Sequence, residues 1–428
     1  MHNGLCEVIV TKDREIAQQD ALIEEIAQRL EQVGVAFVDF PVLHEDGSNR
    51  ANLNSWTVNC IMVPYLLTGE LFSCISAYWL QLMTLLYLMQ TGRSVAFPGH
   101  SLGSGLTPAA AKELGLAVGT PVGTSLIDAH AGGVGVIESV PASESESKGD
   151  DKNTICHRMV LVCGTSTCHM AVSQRKIFIP GIWGPFWSAM VPEYWLTEGG
   201  QSATGALLDY VVENHVASPH LANRAASQGI SIYELLNRIL ESMMNELKAP
   251  FLAALTKDIH VLPDFHGNRS PIADPKSKGM VCGLTLDKSE KQLTLLYLAT
   301  VQGIAYGTRH IVEHCNSQGH KIDTLLACGG LAKNPLYIQE HADIIGCPLI
   351  LPRESESVLL GASILGAVAA KKYSSLHDAM KALNAPGQVI HPSKDPILKK
   401  YHDAKYRVFQ ELYEQQLSRR KTMAEALA

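Results

Sequence analysis

"TSLIDAHAGGVGV", residues 124–136, decides how this chain is read. Residues 124–127 begin like a buried strand, Asp128 stands where a helix would be capped, and residues 129–137 are apolar enough for an interior helix. Yet Gly132, Gly133 and Gly135 each cost such a helix about 1 kcal/mol relative to Ala. A bare carboxylate at the start and three glycines behind it need a common cause.

Outward from this stretch, residues 97–395 alternate strand-like runs ("RMVLVCG", "MAVSQ", "TLLACGG", "PLIL") with helix-like ones ("TPAAAKELGL", "QSATGALLDYVVENH", "SIYELLNRILESMMNELKAPFLAAL", "KQLTLLYLATVQGIAYGTRHIVEHCNSQG", "LLGASILGAVAA"). The alternation predicts an α/β domain. In residues 396–428, Tyr401, Tyr406, Phe409 and Leu412 recur at helical spacing and predict a docking helix with a charged outer face. The acidic, Ser-rich "PASESESKGDDKNT" (141–154) reads as an exposed loop.

Four further turns carry small or polar residues. "MVLVCGTSTCHMAV" (159–172) is a strand, a turn and a returning strand. It is either a plain β-hairpin or a phosphate cradle in which backbone N–H groups and the hydroxyls of Thr165, Ser166 and Thr167 donate to anionic oxygens. No Lys follows, which excludes a P-loop. "LLACGGLAKNP" (325–335) runs a strand into Gly329 and Gly330 and then a helix, a turn that lets a ligand approach the backbone. "WLTEGGQSATG" (195–205) is read as the small-residue start of a helix, and "DFHGNRSP" (264–271) as a polar loop with Asp264, His266, Asn268 and Arg269, solvated or part of a site. Gly99, Ser101 and Gly103 fit a G-x-S-x-G nucleophile elbow, but Pro98 precedes them and Thr107-Pro108 starts a new helix, leaving no room for the helix that motif needs. One cleft holding a nucleotide would explain the five turns together, with Asp128 at its mouth as general base and the glycines letting its helix pack closely on a neighbouring backbone.

Composition points the same way. A net charge of -7 without a Lys/Arg stripe argues against nucleic acid and for small-molecule partners. Ten cysteines without a C-x-x-C pair suggest neither a zinc site nor a disulfide framework, and fit a reducing cytoplasm. The N-terminus carries no signal-peptide pattern. Residues 16–30 have an amphipathic helical pattern and "VAFVDF" reads as a strand. The uncharged run 71–89 is close to a membrane span in length, but Ser73, Ser76, Gln81 and Thr84 favour a buried helix.

From residue 98 to about 409, "LIDAHAGG", "CGTSTCHM", "EGGQSATG", "DFHGNRSP", "CGGLAKNP" and "ESVLLGASILGA" follow in an order that resembles the C-terminal half of the FGGY carbohydrate kinase family, closest to its ribulokinase-like branch. The resemblance implies an α/β, ribonuclease-H-like domain of the hexokinase/actin-like ATPase fold, with ATP and Mg2+ used to phosphorylate a sugar hydroxyl. It implies Asp128 as the base that takes the hydroxyl proton, Gly164 and Thr165 against the ATP phosphates, and Gly329, Gly330 and Asn334 around the adenosine. It assigns no metal ligand. The "GNRSP" loop, similar to that of the pentulose branch, points to ribulose or xylulose rather than glycerol, and a homo-oligomer is left open.

Family members begin with a D-x-G-[TS] strand-turn, and residues 1–96 hold only Asp46-Gly47 followed by Ser-Asn-Arg. The usual N-terminal domain is therefore expected to be missing or replaced by an atypical leader, ahead of a kinase C-terminal domain at 97–395 and the helix at 396–428. A positioned base supplies about 10²- to 10⁴-fold, whereas phosphoryl transfer rests mostly on clamping phosphates and metal. Two functions follow: a pentulose kinase, or a truncated, inactive nucleotide-binding or interaction protein.

Overall fold

A computed structural model describes residues 96–140, 154–384 and 386–427. The helix and strand expected before residue 96, the apolar run 71–89 and nearly all of the loop 141–154 lie outside the described residues. In chain order the elements are α1 (Pro108–Leu114), α2 (Asp128–Val134), β1 (Arg158–Cys163), β2 (Thr167–Ser173), β3 (Trp183–Trp187), β4 (Trp195–Gln201), α3 (Gly205–Glu213), α4 (Ser218–Ser227), α5 (Ile232–Leu247), β5 (His260–Leu262), β6 (Met280–Cys282), α6 (Glu290–Ser317), β7 (Thr324–Cys328), α7 (Pro335–Ile345), β8 (Leu349–Leu351), α8 (Ser357–Ala369), α9 (Leu376–Leu383), β9 (Gln388–Ile390) and α10 (Pro396–Ala426). Residues 106–119 belong to one unit, where α1 is capped by Thr107 and stopped by Gly115 at φ 66. Residues 96–105 and 120–428 form the other.

The second unit is built on a sheet of order β3-β4-β2-β1-β7-β8-β9. β1, β7 and β8 run parallel, and the remaining pairs are antiparallel. Because side chains alternate along a strand, Met159, Leu161 and Cys163 of β1 and Leu325 and Ala327 of β7 enter one core with α3 to α7. Val160 of β1 and Leu326 and Cys328 of β7 enter the other, under α2, α8 and α9. Helices on both faces of a mixed sheet, with four antiparallel and two parallel strand pairs, agree with the expected ribonuclease-H-like layout. α6 crosses the first core and is buried on nearly every side over its middle turns, its polar Thr300, Gln302 and Thr308 included.

Three local expectations are corrected. Gly199 and Gly200 are not at a helix start: they lie in β4, paired with His169 and Cys168, and the helix begins only at Gly205. Pairing on both edges of β4 overrides the weak strand propensity of glycine. The long run beginning at 231 is broken after Leu247, where Lys248 takes φ 49 and Pro250 cannot continue a helix. Residues 124–127 are extended but lie outside the sheet, with Thr124 pairing through its backbone to Gly99 and His100. Ser101 sits in an isolated bridge to Gly123, so no strand-to-helix elbow forms around it.

Candidate active site

The glycines of the opening stretch do what their cost implied. A Cβ on Gly135 would lie 2.1 Å from the Ser357 carbonyl, and one on Gly361 of α8 would lie 1.8 Å from the Ala131 carbonyl. The backbones of α2 and α8 thus touch in a way no side chain permits. A Cβ on Gly133 would meet Met190 Sδ at 2.3 Å, and one on Gly132 would sit 3.3 Å from Val162 near the end of β1. At the other end of this segment the Arg158 guanidinium, at the start of β1, donates to the Ile137 carbonyl at 2.6 Å. α2 therefore runs antiparallel to β1, and its first residue, Asp128, lies at the carboxyl end of that strand. Asp128 is exposed and is the first helical residue rather than the cap; its Oδ1 accepts the Ala129 N–H at 2.7 Å.

At the same edge β1 turns through Gly164 and Thr165, both exposed. The turn is bolted to the start of α3: the Gly164 carbonyl accepts the Gly205 N–H at 3.1 Å, and the Thr165 carbonyl accepts the Thr204 and Ala206 N–H groups at 3.0 and 3.2 Å. Gly205 must be glycine, since a Cβ there would stand 2.6 Å from the Gly164 carbonyl. β7 ends beside β1, and Gly329 follows at φ 91, where a Cβ would meet the Cys163 carbonyl at 2.5 Å. The fold itself demands Gly329. Gly330 differs, because an added Cβ would find nothing within 4 Å. Asn334 caps α7, accepting the Leu336 N–H at 3.1 Å and an Asn237 amide hydrogen at 2.9 Å, and its own amide donates to Tyr297 Oη at 2.7 Å. Asn237 also accepts from Tyr297 at 3.1 Å, and Tyr233 of α5 donates to Asp209 of α3. This wall joins α3, α5, α6 and α7.

The structure thus brings Asp128, Gly164, Thr165, Gly329 and Gly330 to the carboxyl ends of two adjacent parallel strands, the edge where open α/β sheets take ligands. It surrounds Asn334 with protein partners. Sequence reading passed over Glu198, which is 5% exposed and lies between His130 Nε2 at 3.0 Å and Arg269 Nη2 at 3.0 Å. A carboxylate inside "WLTEGGQ" was the available signal. Asp264, in a loop read as solvated or part of a site, is buried, accepting from Ser277 at 2.7 Å and Asn268 at 3.1 Å, and burial raises its pKa. Gln201, Asp264, Asn268, Arg269 and His310 line a small cleft of their own, and none of the six candidates lines it.

Among the described residues no group of three His, Cys, Asp or Glu could hold a metal ion, and no helix is long and apolar enough to cross a membrane. A Mg2+ ion carried on a nucleotide needs only one or two carboxylates beside phosphates and water. The exposed Asp128 carboxylate fits that need, and the open space at Gly330 fits a nucleotide.

Residues 159–370 match the C-terminal domain of the FGGY family of carbohydrate kinases. The chain is 52% identical over 324 residues to the FGGY carbohydrate kinase domain-containing protein of Xenopus laevis, covering 76% of this chain and 58% of that protein. It is 37% identical over 277 residues to a D-ribulokinase of Saccharomyces cerevisiae, covering 63% and 39%. It thus spans less than two thirds of the length of these relatives. Among solved structures it is similar to a xylulose kinase from Rhodospirillum rubrum (TM-score 0.56, 21% identity, 75% of this chain and 56% of that one). It is also similar to Plasmodium falciparum glycerol kinase with ADP (TM-score 0.56, 17% identity, 77% and 58%). At such identities the likeness speaks for the fold alone, the actin-like ATPase fold. With its motifs in order, its sheet of the expected layout and its matched domain, the chain belongs to the FGGY family of carbohydrate kinases.

Proposed function

We propose that this chain contributes the base and the nucleotide face of an ATP-dependent kinase acting on a sugar hydroxyl, a pentulose such as ribulose. The observation that carries the reading is the contrast between neighbouring glycines: Gly329 is required by its backbone, while Gly330 leaves space that the fold does not use. Beside that space, exposed Gly164 and Thr165 present a turn to phosphate oxygens, and Asp128 stands at the same edge. In the proposed step the sugar hydroxyl oxygen bonds to the γ-phosphorus, the bond from that phosphorus to the β–γ bridging oxygen breaks, and the hydroxyl proton passes to Asp128. Mg2+, when bound with the nucleotide, offsets phosphate charge. The ribulokinase among the relatives and the "GNRSP" loop favour a pentulose.

Two measurements on the purified chain test this. Calorimetry should detect ADP binding that Gly330→Asp abolishes. An ADP-release assay with ribulose, xylulose and glycerol then separates two outcomes. Turnover with a pentulose, lost in Asp128→Asn, supports the kinase. Binding without turnover supports a nucleotide-binding protein instead. Absence of nucleotide binding would overturn both.

A further inference from the structure

We infer that His130, Glu198 and Arg269 form a positioning chain for the Asp128 carboxylate, tying the turn that carries it to β4 and to the 264–271 loop; the inference rests on the kinase reading and deepens it. α2 has only seven residues, and Ile127 before it supplies no side-chain cap. Two glycines lie within it and a third closes it. Such a helix has little intrinsic stability of its own. Its glycine contacts with α8 fix how close it lies, but being free of side chains they do little to fix its first turn. His130 belongs to that turn and is 8% exposed. Its Nε2–H donates to Glu198 Oε2 at 3.0 Å, and Glu198 Oε1 accepts from Arg269 Nη2 at 3.0 Å. The Arg269 guanidinium lies over the Trp183 ring, 4.3 Å from its centroid, and a Cβ on Gly200 would press within 3.1 Å of it.

The same neighbourhood reaches Asp128. The Cys168 thiol of β2 is raised by burial and feels the charges of Arg269, Glu198 and Asp128. Buried ion pairs are poor sources of stability, since apolar residues of similar volume hold elements together as well. What directional charge-assisted hydrogen bonds add is geometry, and here the geometry they set is that of the turn bearing the candidate base. His130 is thus a positioning residue, acting through the backbone it shares with Asp128.

Hydrogen–deuterium exchange of the full chain tests the chain of contacts without needing turnover. In His130→Ala and in Glu198→Gln, amides of residues 127–134 should exchange about ten- to a hundred-fold faster, as loss of a charged hydrogen bond predicts. The double variant should be no faster than either single one, and His130→Gln, which can still donate to the carboxylate, should fall between. Residues 324–330 should keep their protection. Where the wild type turns over, kcat should fall by a similar factor at unchanged nucleotide KM. Unchanged exchange at 127–134, exchange raised evenly across the domain, or faster exchange with kcat untouched would each overturn the inference. Equal turnover in the wild type and Asp128→Asn sinks the kinase reading instead, and leaves the exchange result to decide the anchoring by itself.

Discussion

At residue scale, adjacent glycines serve opposite ends, and substitution separates them. Gly329→Ala forces an L side chain into φ 91 and against the Cys163 carbonyl. It should lower unfolding stability by about 1–3 kcal/mol. Gly330→Ala meets nothing and should stay within about 0.5 kcal/mol of the wild type, while weakening nucleotide binding. Urea unfolding with unchanged m-values reads the first effect and calorimetry the second. Equal destabilisation by both would mean that Gly330 is also structural. Gly361→Ala, whose Cβ would lie 1.8 Å from a backbone carbonyl, should part α2 from α8 and cost about 1–3 kcal/mol. That α2 packs closely on a neighbouring backbone was legible from residue type alone, because glycine where it costs a helix demands a cause. Which glycine faces backbone and which faces empty space was not, since the distinction lies in the atoms of another strand.

At the scale of the element, α10 shows how far periodicity reaches. Tyr406, Phe409 and Leu412 are buried as their spacing predicts, with Tyr401 half-buried. Lys405, one turn after Tyr401 and one turn before Phe409, shares their inward face and is 6% exposed. Its Nζ donates to the Thr256 and Ile259 carbonyls at 2.7 and 2.9 Å, to Gln302 Oε1 at 2.9 Å and to Thr256 Oγ1 at 3.0 Å. Those acceptors come from segments more than a hundred residues away, so helical spacing could not reveal them; β4 with its glycines and Glu198 is hidden in the same manner. Burial draws the Lys405 pKa down to about 7 and pushes Glu340 up to about 8. Four oxygens around Nζ nevertheless call for an ammonium with three hydrogens, and they restrain the fall. The signs oppose each other. As pH rises through the window up to about 8, Glu340 loses the advantage of being neutral in the folded state. From about 7 upward, the folded state regains what a charged buried Lys405 costs it. Thermal unfolding followed against pH should therefore pass through a shallow minimum between about 7 and 8. Glu340→Gln should flatten the acid limb and Lys405→Met the alkaline one. A monotonic profile through this range would refute these opposed shifts.

At the scale of the whole molecule, the second unit has its own sheet with a core on each face, and the edge proposed for the nucleotide lies entirely within it. Binding should therefore stabilise that unit by linkage, by about 2.7 kcal/mol at a hundred times Kd. A rise in melting temperature with ADP, absent in Gly330→Asp, checks this. The sheet order was not written in any one segment, because β7 joins β1 only after more than a hundred and fifty residues of helices and hairpins. The two strands that end at the edge each finish in a cysteine, Cys163 at 0% and Cys328 at 3% exposure. Burial raises both thiols, Cys328 to about 11, so neither offers a thiolate to an alkylating reagent while the strands stay together. The edge proposed for phosphate thereby carries a chemical clock: ADP should slow alkylation of Cys163 and Cys328 in step, and more than it slows Cys315, buried in the last turns of α6.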